Sequence, residues 1–235
     1  NEKKGLIPTT QWKKDNLGKG WVIGETLITG IGQGYTQTTP LQLCLMTAQL
    51  ANGGFEIYPK ITVNENDKTY EEIKILIEKN KQQTTGLIEA NDGLFSFIKE
   101  KKYRPLYKNI ENIKLIQEAM FASTNEVRGT SYSSRIEDPK YQFAGKTGTS
   151  QVKRITKEQR ELDLKTIDIP YNDRDHALYI AFGPYKNPRY ALSVVIEHGG
   201  SGSSVAAPIA KKLFKLILDR HIAREKIRTK KTVKI

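Results

Sequence analysis

Two strand-like runs in the last third of the chain lie on either side of a short turn. Ala177–Tyr185 and Tyr190–Glu197 are rich in apolar residues, and the turn at 186–188 contains Asn and Pro. A turn this short joins two strands as antiparallel neighbours. A third run, Tyr141–Val152, also has the pattern of a strand. The chain is therefore constrained to build an antiparallel meander in this region.

Two upstream segments are predicted to form helices. Thr39 and Pro40 begin an apolar run that ends at Gly53-Gly54, so Thr39 can cap a helix whose first turn tolerates proline. This helix has little polar surface and should lie centrally. Asn109–Asn125 carries apolar residues at helical spacing, which indicates a second, amphipathic helix.

A third helix is predicted after the Gly/Ser-rich loop Gly199–Ser204. Its apolar residues form one broad face: Val205, Ile209, Leu213, Phe214, Leu216 and Ile217. The charged stretch Lys60–Lys81 contains short runs in which apolar and polar residues alternate. Such runs are typical of edge strands in a segment that projects into solvent. Helices that precede an antiparallel sheet and one that follows it predict an α+β fold, in which helices cover the sheet.

The composition limits the classes of function. The 235 residues suffice for one substantial domain, and the mean hydropathy of −0.54 suits a globular chain. Neither a membrane-spanning run nor a signal peptide is recognisable, and the first residue is not Met, so a targeting segment is expected upstream.

The net charge of +12 favours anionic partners, but no nucleic-acid-binding module is visible. The basic tail Asp219–Ile235 indicates a solvated or membrane-facing helix end, and the single cysteine, Cys44, is interpreted as a small buried thiol.

The most distinctive local feature is the sequence K-T-G-T within the run Tyr141–Val152. Lys146, Thr147, Gly148 and Thr149 offer one cation, two hydroxyls and a glycine that allows a ligand to approach the backbone. Such a strand can bind a carboxylate and lend an N–H to a developing oxyanion. A glycine-containing edge strand with a surface lysine explains the same residues. The glycines do not form a P-loop, because no G-x-x-x-x-G-K-[ST] pattern is present.

The K-T-G motif and several others occur in the order found in the penicillin-recognising serine acyltransferases. The chain resembles the penicillin-binding protein 2 family, the class B transpeptidases of cell elongation. The resemblance covers nearly the whole chain and is weakest over Thr62–Lys108. The segments that carry it are Gly5–Pro8 with Gln11–Lys13, Gly30–Tyr35, Thr39–Gln42, Gly145–Val152, Arg174–Ala177, Ala181–Tyr185 and Glu197–Gly200.

The resemblance implies that residues 1–235 are the C-terminal portion of one transpeptidase domain. The parent protein would be a serine-type D,D-transpeptidase that needs no cofactor or metal, and its nucleophile would precede Asn1. Lys146 would supply positive potential and an orienting hydrogen bond. Thr147 and Thr149 would hold the donor carboxylate beside Gly148, and the Thr149 N–H would form half of the oxyanion hole.

The resemblance also implies partners and a location. The partners would be a stem peptide ending in D-Ala-D-Ala, β-lactams that acylate the upstream serine, and membrane elongation machinery including a lipid-II glycosyltransferase, with no nucleic acid among them. The location would be the periplasmic face of the bacterial inner membrane, with an anchor upstream of this chain. The chain alone would be inactive.

Three local matches to the family's serine motifs are interpreted as chance. Ser96–Lys99 and Ser150–Lys153 fit S-x-x-K, and Ser123–Asn125 fits S-x-N. The first and third lie too close to each other and to Lys146 for separate elements to meet at one cleft. Lys153 lies three residues after Ser150 on a predicted strand, so the two side chains would point to opposite faces.

Other interpretations remain open. A D,D-carboxypeptidase or a β-lactamase would share the K-T-G strand, and a non-catalytic module that binds an anionic polymer would share the basic charge. Asp173, Asp175 and His176 could suggest a metal site, but a solvated loop between strands explains them as well. Gly32 and Gly34 are interpreted as residues that shape the backbone of a cleft wall.

Overall fold

Three antiparallel strands form the sheet in the structure, a computed structural model that describes residues 3–60, 104–153 and 166–232. The strands are β1 (Ala144–Ser150), β2 (His176–Gly183) and β3 (Tyr190–Ile196), in the spatial order β1-β2-β3. Lys146 of β1 lies opposite Ile180, and Ala181 of β2 lies opposite Leu192. The predicted antiparallel meander is confirmed.

The strands are shorter than the sequence predicted because the backbone at their ends has other partners. The N–H of Tyr141 donates to the carbonyl of Asp138 in a turn, and the N–H of Val152 donates to Asp175 Oδ1. Pro184 has no N–H to continue β2. β1 and the C-terminal end of β2 therefore stop where the ladder loses its donors.

Five α-helices lie within the described ranges. They are α1 (Thr10–Leu17), α2 (Ile23–Gly30), α3 (Pro40–Ala51), α4 (Ile110–Asn125) and α5 (Ala207–Thr232), which follows a π-helical turn at Gly202–Ala206. Helices and an antiparallel sheet together confirm the predicted α+β fold. None of these helices combines the length and the apolar composition needed to cross a bilayer.

The predicted start of α3 is confirmed in atomic detail. The Thr39 hydroxyl oxygen accepts from the N–H of Gln42 at 3.2 Å, and Gln42 Oε1 accepts from the N–H of Thr39 at 3.0 Å. This reciprocal capping box satisfies two N–H groups that a helix start leaves unpaired. Asn109 caps α4 in a similar way, with Oδ1 accepting from the N–H of Glu111 at 2.9 Å.

The sheet has an apolar core on each face, because alternate residues of a strand point to opposite sides. One face packs against α5, and its buried residues are Phe143, Ala177, Tyr179, Ala181, Val194, Ala206, Ala207, Ala210, Phe214 and Leu218. The other face packs against α3 and α4, and its buried residues are Ala51, Met120, Ala144 and Phe182. The strand that carries the K-T-G sequence thus belongs to a sheet that is supported on both sides.

The predicted apolar face of α5 is wrong in part. Ile209, Leu213 and Leu216 are exposed, and the buried side of the helix is formed by Ala207, Ala210 and Leu218 together with Phe214. Small alanines let the helix approach the sheet closely, which side-chain hydrophobicity alone did not predict.

Two other predictions have different outcomes. The edge strands predicted for Lys60–Lys81 lie outside the described residues, apart from Lys60.

Cys44 is half-buried on α3, with Sγ 3.5 Å from the carbonyl oxygen of Ala191. Burial raises the pKa of the Cys44 thiol, which keeps it protonated and poorly nucleophilic near neutral pH.

A buried hydroxyl cluster connects the sheet to α4. The Tyr179 side chain is fully buried on β2, and its hydroxyl lies 2.9 Å from Thr124 Oγ1 and 3.0 Å from Ser131 Oγ. Thr124 lies in the last turn of α4, and Ser131 lies in the loop that follows. One phenol therefore fixes both the helix and its exit loop to the middle strand.

Replacing Tyr179 with Phe should destabilise the protein. The change removes two buried hydrogen bonds and should lower the free energy of unfolding by about 1–2 kcal/mol, measured by urea denaturation. Tyr171→Phe is the matched control, because Tyr171 is 59% exposed, and it should change the value by less than about 0.5 kcal/mol. Equal stability of the two variants would contradict this role of Tyr179.

Candidate active-site strand

Lys146 lies on β1, which pairs only with β2 among the described residues. The Lys146 side chain is exposed, and its Nζ donates to the carbonyl oxygen of Thr147 at 2.7 Å. The ammonium group is therefore held over the strand's own backbone and stays accessible to solvent. Such an accessible cation can attract and orient an anionic group.

The next three residues continue along the same exposed strand. Thr147 and Gly148 are half-buried and Thr149 is exposed. The Thr147 hydroxyl oxygen lies 3.2 Å from that of Thr130, which belongs to the loop after α4. The structure thus places Lys146, Thr147, Gly148 and Thr149 in succession on one accessible strand.

Two glycines allow close packing around this strand. A Cβ at Gly145 would lie 2.7 Å from Cε1 of Tyr179, so the tyrosine ring fits against β1 only because residue 145 has no side chain. A Cβ at Gly202 would lie 2.5 Å from the carbonyl oxygens of Gly148 and Leu178. The π-helical turn therefore presses against β1 and β2 at the level of the K-T-G sequence.

A groove of about 520 Å³ lies beside Lys146, between α4 and the sheet. Its lining is mostly apolar, with Lys146, Arg128 and Glu126 as charged residues and Ser123 and Thr130 as hydroxyl-bearing residues. The two cations exceed the one carboxylate, so the charged part of the groove favours an anion.

Sequence reasoning missed two hydroxyl residues that the structure brings to this place. Thr130 contacts Thr147, and Ser123 Oγ lies 3.2 Å from Thr130 Oγ1. Thr130 stands in no pattern that marks a site, and Ser123 stands in the S-x-N match that was interpreted as chance. The contact between them depends on how the loop after α4 folds back toward β1.

The structure gives other partners to the serine-motif matches that it describes. Asn125 Nδ2 donates to the carbonyls of Phe121 and Phe143, so its amide holds α4 to the start of β1. Lys153 Nζ lies 2.8 Å from Asp173 Oδ2. Ser96–Lys99 lies outside the described residues.

The Asp173–His176 loop is built from internal contacts. Asp173 binds Lys153, Asp175 Oδ1 accepts from Val152, and His176 Nδ1 accepts from the N–H of His198. In the described part of the chain, no three His, Cys, Asp or Glu side chains gather as a metal site would require.

Gly32 and Gly34 adopt backbone conformations that favour glycine, and their predicted place in a cleft wall stays a prediction. Their φ angles are +77° and +75°, in the left-handed region that favours glycine. They shape the turn between α2 and α3, before the capping residue Thr39.

Comparison with known proteins identifies the class. Residues 1–215 match the family model of the penicillin binding protein transpeptidase domain. The peptidoglycan D,D-transpeptidase MrdA of Salmonella typhimurium is 34% identical over 218 residues, which cover 93% of this chain and 31% of that protein. The chain therefore belongs to the penicillin-binding protein transpeptidase family.

Solved structures agree with this assignment. The complex of penicillin-binding protein PBP2 with MreC from Helicobacter pylori is 27% identical, with a TM-score of 0.64 over 92% of this chain and 32% of that one. Pseudomonas aeruginosa PBP2 in complex with WCK 5153 is 31% identical, with a TM-score of 0.62 over 92% of this chain and 38% of that one. The chain spans about a third of the length of these relatives.

Replacing Gly145 with Ala should disturb the strand next to Lys146. The new Cβ would collide with the ring of Tyr179, and the overpacking should lower the free energy of unfolding by about 1–3 kcal/mol. Gly24→Ala is the control, because a Cβ there meets nothing within 4 Å, and a helical Gly→Ala change should be neutral or stabilising. Thermal unfolding measures both variants, and an unchanged melting temperature for Gly145→Ala would contradict the packing argument.

Proposed function

We propose that the protein containing this chain is a peptidoglycan D,D-transpeptidase. The chain would provide the C-terminal portion of the transpeptidase domain and the strand that binds the donor. The observation that carries this proposal is the exposed K-T-G-T sequence of β1, in a chain matched to the transpeptidase family over residues 1–215.

The donor stem peptide would bind through its terminal carboxylate. Lys146 would attract that carboxylate, and the hydroxyls of Thr147 and Thr149 would donate hydrogen bonds to it. Charge-assisted hydrogen bonds of this kind are shorter and stronger than neutral ones. The N–H of Thr149 would be one of two donors to the oxygen of the scissile carbonyl as negative charge develops on it.

The chemistry is acyl transfer in two steps. A serine upstream of this chain attacks the carbonyl of the penultimate D-Ala; its Oγ–C bond forms, the amide C–N bond breaks, and the terminal D-Ala leaves with a proton. The amine of a neighbouring stem then attacks the ester carbonyl: the N–C bond of the cross-link forms, the ester C–Oγ bond breaks, and a proton from the attacking amine passes to the serine oxygen. Acyl transfer from an amide to an amine needs no oxidant or reductant.

The proposed partners follow from the family and from the relatives. They are a stem peptide ending in D-Ala-D-Ala, β-lactams that acylate the upstream serine, and an elongation complex that includes a lipid-II glycosyltransferase. The complex of the Helicobacter pylori relative with MreC supports a role within such an assembly. We place the protein at the periplasmic face of the bacterial inner membrane.

Labelling with a fluorescent penicillin tests where the nucleophile lies. The full-length protein should be labelled on a serine that precedes residue 1, and residues 1–235 expressed alone should remain unlabelled. Mass spectrometry of the labelled peptide locates the site. A label on Ser96 or Ser150 would refute the assignment of the nucleophile.

A second assay gives purified stem peptides to the full-length protein. Transpeptidation yields cross-linked dimers, whereas a carboxypeptidase only releases D-Ala.

Replacing Lys146 with Ala in the full-length protein should slow acylation. Loss of a charge-assisted partner costs about 1.5–3 kcal/mol, which corresponds to a roughly tenfold to hundredfold lower rate. Thr149→Ala should have a smaller effect because the backbone N–H remains. The measurement is the second-order rate constant of acylation by a β-lactam.

The control is Lys140→Ala, an exposed lysine away from the strand. Both lysine variants should keep the parent's melting temperature, because an exposed side chain contributes little packing. A Lys146→Ala protein that acylates as fast as the parent would remove Lys146 from the site.

A further inference from the structure

Three hydroxyls form a row that leads from α4 to the K-T-G strand. Ser123 Oγ lies 3.2 Å from Thr130 Oγ1, and Thr130 Oγ1 lies 3.2 Å from Thr147 Oγ1. Thr147 is the residue that would bind the donor carboxylate. Ser123 and Thr130 belong to the end of α4 and its exit loop, and both line the groove beside Lys146.

The backbone on both sides of Thr130 is fixed by close contacts. A Cβ at Gly129 would lie 2.5 Å from the carbonyl oxygen of Ala122, so the loop turns tightly against the helix end. Ser131 is fully buried; its N–H and its hydroxyl both donate to the carbonyl of Ser123 at 3.0 Å. Thr130 is therefore an exposed side chain on a constrained backbone, a combination that is suited to hold a neighbouring hydroxyl in place.

The chemistry of the row gives it a direction once a carboxylate is bound. A hydroxyl has one proton to donate and can accept hydrogen bonds, whereas a carboxylate only accepts. If Thr147 donates to the carboxylate, its oxygen must accept from Thr130, and Thr130 can in turn accept from Ser123. Hydrogen bonds aligned in this way polarise and strengthen one another.

We propose that Thr130 is a positioning residue for substrate binding. It would donate to Thr147 Oγ1 and thereby orient the Thr147 proton toward the donor carboxylate, without contacting the substrate itself. This inference rests on the proposed transpeptidase function. It assigns the selectivity for a terminal carboxylate to Lys146 and also to the row of hydroxyls formed by Ser123, Thr130 and Thr147.

Two thioester substrates that differ only in charge test the proposal in the full-length protein. One is the N-benzoyl-D-alanyl thioester of thioglycolic acid, and the other is its thioglycolamide counterpart. Thr130→Val removes the hydroxyl at nearly constant shape, and Thr130→Ser keeps it. The measurement is kcat/KM for thiol release from each substrate, with the melting temperature of each variant alongside.

Thr130→Val should lower kcat/KM for the carboxylate substrate by about threefold to tenfold, the range expected for one neutral hydrogen bond. The same variant should leave kcat/KM for the carboxamide within about twofold of the parent value, and Thr130→Ser should restore most of the loss. An equal loss on both substrates, or no loss on either, would overturn the role of Thr130. A parent protein that releases no thiol from the carboxylate substrate would instead refute the proposed function, and this inference with it.

Discussion

The Tyr179 hydroxyl is the contact on which the arrangement around the K-T-G strand depends. A fully buried phenol must keep its hydrogen-bond partners, because an unpaired buried polar group costs more than a typical hydrogen bond contributes. Tyr179 satisfies this requirement with Thr124 of α4 and Ser131 of the exit loop. Burial raises the pKa of Tyr179, and its hydrogen bonds with Ser131 and Thr124 partly offset that effect. The phenol therefore stays protonated near neutral pH and remains able to donate.

The proposed site is a consequence of that buried contact. The tyrosine ring occupies the space beside Gly145, where β1 can accept it only because residue 145 has no side chain. The same phenol fixes the loop that carries Thr130 and so brings its hydroxyl to Thr147. The accessible hydroxyls are thus positioned by a second, buried set that is shielded from solvent. Lys146 needs no such support, because its ammonium is long, charged and held over the backbone of its own strand.

The sequence predicted the three strands and the helices α3, α4 and α5, but it did not predict α1 and α2, and it predicted the contacts between elements poorly. The turn at 186–188 and the Thr39-Pro40 pair predicted strands and a helix because they constrain the backbone locally. The face of α5 was partly wrong because alanines such as Ala207 and Ala210 pack by being small, which a pattern of large apolar residues does not reveal. Thr130 was missed because its role comes from a neighbour on another element. The likeness to a family located the K-T-G strand, and only the structure shows what holds it.

The packing of the C-terminal half also bears on how the chain folds. The three strands, the π-helical turn and α5 lie within residues 144–232, and the buried residues of the core between them run from Phe143 to Leu218. The second core joins β1 and β2 to α3, whose residues 40–51 are far away along the chain. Closing a long loop costs more entropy than closing a short one, and contacts between distant residues slow folding. We therefore expect the sheet and α5 to assemble first and α3 to dock later. In that order, α5 packs on one face of the strand that carries Lys146 before α3 packs on the opposite face.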